Sequence, residues 1–266
     1  KQGLNVAVAA LCLVLANCSV IVERGGPGSS SIPQPQADAI PKQESRSRYG
    51  NPDSYEVFGK HYHTLKSSHG FRERGVASWY GNKFHGRRTS SGEIYDMHQM
   101  TAAHKHLPLP SYVKVTNIEN GRSTVLRVND RGPFHENRII DVSYAAAVKL
   151  GIVEKGTAFV EIQALSGDPQ PRESVDPGVS AKAGNDSLYL QIGAFSERPN
   201  AQRMFEQVSQ RLPGNLSGNI RIRESTSGEQ AIYRVQLGPI ATVALADKVV
   251  ATLIGIGIGI GNPHFV

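Results

Sequence analysis

The sequence predicts a mainly β chain: a closed or nearly closed β barrel followed by a separate α+β unit. Three observations carry this. Between residues 75 and 165, short runs of strand formers recur with one short helical pattern among them. A Pro/Gly/Ser-rich stretch at 166–186 then reads as a linker. Beyond it the apolar spacing alternates between strand and helix periods, in the order β-α-β-β-α-β.

Leu4 to Ala16 is almost wholly apolar. It falls short of the roughly 20 residues that span a bilayer and fits the apolar core of a secretory signal, with Lys1 as the rest of a basic start. It ends in Leu15-Ala-Asn-Cys18, which resembles the lipobox of bacterial lipoproteins, although Asn17 stands where a smaller residue is usual. That resemblance makes 1–18 a signal, Cys18 the lipidated residue and, with Ser19 in place of Asp, the outer membrane the destination. The two cysteines are Cys12 and Cys18, so the folded part has no disulfide framework. Residues 19–52 are rich in Gly, Pro, Ser and Gln and read as a disordered tether. A flexible chain from Cys18 to Gly75 would span roughly 40 Å.

The barrel domain is expected over 53–165. Tyr55–Tyr62 reads as a short hairpin leading into it. Val76–Tyr80 is a strand, and Tyr112–Thr116 and Ser123–Val128 flank the hairpin turn Glu119-Asn-Gly121. Arg138–Val142 and Ala158–Ile162 complete the strand set. The one helix has Ser143 as its N-cap, runs from Tyr144 to Leu150, and stops at Gly151.

The second domain is expected over 187–266. Leu188–Ile192 is a strand, and Ser196 caps a helix with Pro199 in its first turn. Ala201, Met204, Phe205, Val208 and Leu212 share one face of that helix. Strands at Ile220–Glu224 and Ala231–Leu237, a helix at Val243–Ile254 and a last strand at Pro263–Val266 follow. Ile254-Gly-Ile-Gly-Ile-Gly-Ile-Gly261 suits neither helix nor strand.

The net charge of +6 favours an anionic partner such as an acidic wall polymer. The positive charge is spread along the chain, with no polybasic segment, and the secretory signal argues against nucleic acid. His85, His98, His106 and His135 lack metal-ligand spacing, so neither a metal nor a cofactor is expected.

The chemistry centres on Val125-Leu-Arg-Val-Asn-Asp-Arg-Gly-Pro-Phe134, a strand running into a tight turn. Asp130 stands where sheet hands over to loop. Ser90-Ser-Gly-Glu93 and Thr101-Ala-Ala-His104 add Glu93 and His104. Two carboxylates and an imidazole are what acid-assisted cleavage of a glycosidic bond needs. Asp130 is the candidate acid/base, Glu93 the stabilising charge and His104 the group orienting either; the two carboxyl roles are exchangeable at this level. Trp79, Tyr80, Tyr95, Asn129 and Arg131 are candidate substrate contacts. Arg131 would also hold the loop, and Asp141 is a reserve carboxylate.

Gly75-Val-Ala-Ser-Trp-Tyr-Gly81, His85-Gly-Arg-Arg-Thr-Ser-Ser-Gly-Glu93, Val128-Asn-Asp-Arg-Gly-Pro-Phe134 and Arg138-Ile-Ile-Asp-Val-Ser143 resemble the rare lipoprotein A (RlpA) family. Tyr189-Leu-Gln-Ile-Gly-Ala-Phe195 and Tyr233-Arg-Val-Gln-Leu-Gly-Pro239 resemble a SPOR domain. The resemblance implies a six-stranded double-psi β-barrel and a SPOR domain of the RNP-like type. It implies a lytic transglycosylase that cuts the MurNAc–GlcNAc bond of peptidoglycan, leaving a 1,6-anhydro sugar, with Glu93, His104 and Asp130 on the active-site motifs. It also implies binding to glycan strands lacking stem peptides, enrichment at the division septum, and division-site proteins as partners. Gln191, Phe195, Ser196, Tyr233 and Gln236 are the candidate sugar contacts of the SPOR domain. The alternative is an expansin-like lipoprotein that binds the wall without cutting it.

Overall fold

The computed structural model describes residues 36–165, 187–214, 216, 219–227, 230–259 and 264–266. The expected signal, Cys18 and the 166–186 linker lie outside these residues.

The predicted hairpin forms as β1 (Ser54–Val57) and β2 (Lys60–His63), turning through Phe58 and Gly59, both at positive φ. The barrel strands are β3 (Arg72–Trp79), β4 (Thr101–His104), β5 (Ser111–Asn117), β6 (Ser123–Asp130), β7 (Ile140–Val142) and β8 (Thr157–Leu165). They close in the order β3-β7-β4-β6-β5-β8, the expected six-stranded barrel. The pairs β3/β7 and β4/β6 are parallel and the rest antiparallel. Alternate residues point inward, so Val113, Val115, Leu126, Val128, Ile140 and Ile162 fill the interior with no exposure. The helix α1 (Tyr144–Leu150) starts where Ser143 Oγ accepts from Ala146 N and ends at Gly151 in the left-handed region. Strand β4 has one strand former, Thr101, followed by two alanines. Ala102 and Ala103 are wholly buried between β6 and β7, where no larger side chain is needed to hold the pairing.

The second domain has β9 (Leu190–Phe195), α2 (Arg198–Arg211), β10 (Asn219–Ser227), β11 (Gln230–Gly238), α3 (Val243–Gly255) and β12 (His264–Phe265). Its sheet runs β10-β11-β9-β12, all antiparallel. Ala201, Val208, Val249, Val250 and Leu253 from the helices pack with Leu190, Val235 and Leu237 from the sheet. Ser196 does not cap α2: Glu197 holds that position, with no side-chain cap bond. The Gly-Ile run is a helix stop. Ile258 N reaches back to Leu253 O at 2.9 Å, Gly257 takes φ +77°, and Ile258 is buried.

The two domains share a core. Val76 and Phe159, on the outside of β3 and β8, pack into the second domain's cluster, with the Phe159 and Phe265 rings 5.2 Å apart. Arg138 makes a two-pronged ion pair with Asp247 of α3, at 2.7 and 3.0 Å, and Asn137 donates to the same carboxylate at 2.8 Å.

Residues 36–52, expected as the end of a disordered tether, lie along the barrel. Ala39 N donates to Val125 O at 3.0 Å and Ser47 N to Leu109 O at 2.9 Å. Composition alone gives this segment no apolar core of its own; the barrel wall supplies its partners.

Candidate active site

Register across β6, β4 and β7 builds the site. Ala103 pairs with Asp130 on one side and with Asp141 on the other, and Asp141 in turn pairs with Ser78 of β3. The small Ala103 thus leaves two acidic residues in one row of the sheet. A register shift between Ala102 and Ala103 sets Asp130 opposite Ala103, one residue beyond the regular pairing.

Asp130 is anchored through one oxygen. Its Oδ1 accepts from Ser90 N at 2.7 Å, Ser90 Oγ at 2.6 Å and Arg131 N at 2.7 Å. Its Oδ2 has one side-chain contact, the Tyr80 hydroxyl at 3.4 Å. Burial and the charges of Asp130 and Asp141 hold the Tyr80 phenol well above its ordinary range, so it stays a donor.

Glu93 follows a tight turn closed by Thr89 N to Glu93 O at 2.8 Å, with Gly92 at φ +93°. Its carboxylate accepts from Arg127 Nη1 through both oxygens, at 2.9 and 2.8 Å, and from Asn129 Nδ2 at 2.8 Å. The side chain is 41% exposed and remains open to a ligand. The turn from Ser90 to Glu93 links the two acidic positions: Ser90 binds Asp130 at one end, and Glu93 accepts from Asn129 at the other. Asp141 accepts from Ser78 Oγ, and burial pushes its carboxyl above the ordinary range.

His104 is not brought to either carboxylate. It is buried, and its Nδ1 accepts the backbone N–H groups of His106 and Leu107, both at 3.1 Å. Its Nε2 lies 3.2 Å from Glu73 Oε2. Successive strand residues point to opposite faces, so His104 turns away from the row that Ala103 shares with Asp130. Burial alone would raise the Glu73 carboxyl, but the bond from His104 together with the nearby imidazoles of His104, His264 and His106 holds it low.

Arg131 is a loop clamp, as the alternation of faces suggested, with its guanidinium donors taken up by backbone carbonyls. Nε donates to Gly50 O at 2.8 Å, and Nη1 to His104 O at 3.1 Å and Leu107 O at 2.5 Å. Tyr95 is buried under Tyr80, with ring centroids 4.8 Å apart, and does not line the cleft. Trp79 is half-buried against Tyr144, at 5.5 Å.

In the second domain the register separates the five expected sugar contacts. Tyr233 pairs with Phe195, and both rings pack on the core. Gln236 is buried, with its Oε1 accepting from Arg221 Nε at 3.0 Å. Gln191 is half-buried and Ser196 exposed, so these two remain accessible. Sequence reasoning missed Ser90 as the anchor of Asp130, Arg127 as the holder of Glu93, and Glu44. Arg127 has one signal: a charge in the alternating run Val-Leu-Arg-Val.

Comparison with known proteins agrees with this architecture. A family model described as "Lytic transglycolase" matches residues 72–162, and the SPOR domain model matches 184–259. The "Endolytic peptidoglycan transglycosylase RlpA" of Vibrio cholerae serotype O1 is 46% identical over 86% of this chain and 84% of its own length. The protein so named in Neisseria meningitidis serogroup B is 46% identical over 80% of this chain and 83% of its own. That of Pseudomonas aeruginosa is 37% identical over 86% and 80%.

Proposed function

The chain belongs to the RlpA family, and from that premise we propose that it is an endolytic peptidoglycan transglycosylase in which Asp130 and Glu93 divide the chemistry. The enzyme cuts the glycosidic bond between MurNAc C1 and GlcNAc O4. Protonated Asp130 gives its proton to O4 through Oδ2 as the C1–O4 bond breaks. Glu93, held by Arg127 and Asn129, faces the oxocarbenium-like sugar as a fixed negative charge. The sugar's own 6-hydroxyl then attacks C1, its proton passes to Asp130, and a 1,6-anhydro end is left. No water enters the balance, and Asp130 is regenerated.

The observation that carries this reading is the contrast between the carboxyl groups. Glu93 accepts N–H donors on both oxygens, whereas Asp130 is fixed through Oδ1 with Oδ2 left for the reaction. Incubating the protein with peptide-stripped glycan strands and reading the ends by mass spectrometry tests it. 1,6-Anhydro ends are expected. Binding without new ends would instead favour a wall-binding module of the expansin kind.

The SPOR domain, docked on the barrel, holds the enzyme on glycan strands lacking stem peptides, which directs it to the septum. Its accessible candidates for that contact are Gln191 and Ser196. The protein works in the cell envelope on peptidoglycan. Cys18 supplies a lipid anchor in the outer membrane facing the periplasm, and division-site proteins are its partners there; radiolabelled palmitate incorporation lost in Cys18→Ala tests the anchor.

A further inference from the structure

A groove of about 770 Å³ opens beside Glu93. One wall is the barrel rim, with Glu93, Thr101, Arg127 and Asn129. The other wall is the segment before the barrel, from Gln36 to Glu44. Glu93 is part of the lining and Asp130 is not.

That segment is fastened at three points. At its start, Asp38 accepts from Lys149 Nζ at 2.6 Å, beside the backbone bond from Ala39 to Val125. At its end, Gly50 O is held by Arg131. Between them Glu44 takes two bonds from Arg127, Nε to Oε1 and Nη2 to Oε2, both at 2.9 Å, and one from the Tyr112 hydroxyl. Arg127 is thus gripped from both sides, by Glu44 on two of its nitrogens and by Glu93 on the third. A planar guanidinium fixed on two edges cannot rotate, so Glu44 decides where Nη1 presents itself to Glu93.

We propose that residues 36–44 form a wall of the glycan groove, holding sugars on one side of the cleaved bond, and that Glu44 is a positioning residue that orients Glu93 through Arg127. The groove has the chemistry of a sugar site. The exposed side chains of Ile40 and Ile94 offer apolar contact to a ring face, while Asn129 and Thr101 offer hydrogen bonds to hydroxyl and acetamido groups. The second half of the inference rests on Glu93 acting in the proposed cleavage. The first half does not.

Two measurements separate them. In the first, amide NMR follows the ¹⁵N-labelled Asp130→Asn protein as short peptide-free glycan strands are added. Resonances of residues 38–44 move together with that of Glu93 if the segment is a wall. If glycan shifts other barrel amides and leaves 38–44 in place, the inference falls. The second compares kinetics of the wild type and Glu44→Gln, which keeps the shape and removes the charge. A roughly tenfold lower kcat with KM held within about twofold is expected, as for a misaimed catalytic group. Wild-type kcat in a folded Glu44→Gln protein overturns the positioning role. A wild type that yields no anhydro ends while residues 38–44 respond to glycan sinks the proposed activity and supports the groove.

Discussion

Replacing Glu44 by Gln removes one negative charge from the end of the Arg127 guanidinium. The hydrogen bonds from Arg127 hold the Glu44 carboxyl down at about 2, against an ordinary 4.5. A carboxylate held low in the folded state stabilises it above the unfolded value, and that contribution disappears as pH falls from about 4.5 to about 2. At 1.36 kcal/mol per pH unit the gap has a ceiling of about 3 kcal/mol. The side chain is 22% exposed. Solvent screening then brings the expectation to about 1.5 kcal/mol. Trp79 is the only tryptophan and lies at the end of β3, so its fluorescence in urea reports the barrel without the second domain. Near pH 7 the wild type should exceed Glu44→Gln by about 1.5 kcal/mol. The two should converge as pH approaches 2, because other acidic groups titrate alike in both. A difference that is constant across this range, or absent at pH 7, would refute the reasoning.

Four further outcomes follow from the same contacts. Asp130→Asn and Glu93→Gln should each remove anhydro product, with unfolding free energies from urea titration within about 1 kcal/mol of the wild type, read by mass spectrometry and Trp79 fluorescence. His104→Ala takes the acceptor from the buried Leu107 N–H and should lose roughly 1–3 kcal/mol, with activity falling in step with the folded fraction. A stable but inactive variant would contradict the structural role. Asp247→Ala strips the buried Arg138 of its partner and should weaken domain docking by about 1–2 kcal/mol, seen as a lower first transition in calorimetry. Asp141→Asn should keep activity within about tenfold of wild type in the same product assay, since its amide can still accept from Ser78; complete loss would make Asp141 the acid.

The barrel was legible where side chains alternate. Tyr112–Thr116 and Ser123–Val128 carry the period of two that a half-buried strand imposes, and each forms. Strand β4 was not legible in this way, because Thr-Ala-Ala-His has one strand former and no alternation, and its pairing with β6 and β7 holds it. The place of Asp130 at the end of a strand was readable from its motif. The fate of His104 was not: adjacent residues share a motif yet face opposite sides of a strand, and spacing alone does not say which side is the cleft. The same holds in the SPOR sheet. There a shift between Val235 and Gln236 places Tyr233 on the core and buries Gln236 under Arg221. The docked segment at 36–52 has a spacer's composition. Its order comes from Arg127, Arg131 and Lys149, more than 80 residues later in the chain.

The three carboxyl groups near the cleft differ in how many donors surround them, and this orders their chemistry. Glu93 meets a guanidinium on both oxygens and an amide besides. That fixed geometry suits the proposed role of a stabilising charge opposite the sugar. Asp141 has one serine hydroxyl and a buried setting that favours its neutral form, but its role is tied to β3 through Ser78. Asp130 has the most donors of the three, but all except the Tyr80 hydroxyl converge on Oδ1. Its orientation is fixed through Oδ1 by Ser90 and Arg131, and Oδ2 keeps only a long contact to Tyr80. An acid/base group must give and regain a proton without moving, and an anchored carboxyl with one lightly held oxygen does that. The Arg131 side chain, which would otherwise set a cation beside it, is turned to the carbonyls of Gly50, His104 and Leu107. At the end of β6 the Arg131 guanidinium thus braces the loop, and the Oδ2 of Asp130 is left for the proposed proton transfer.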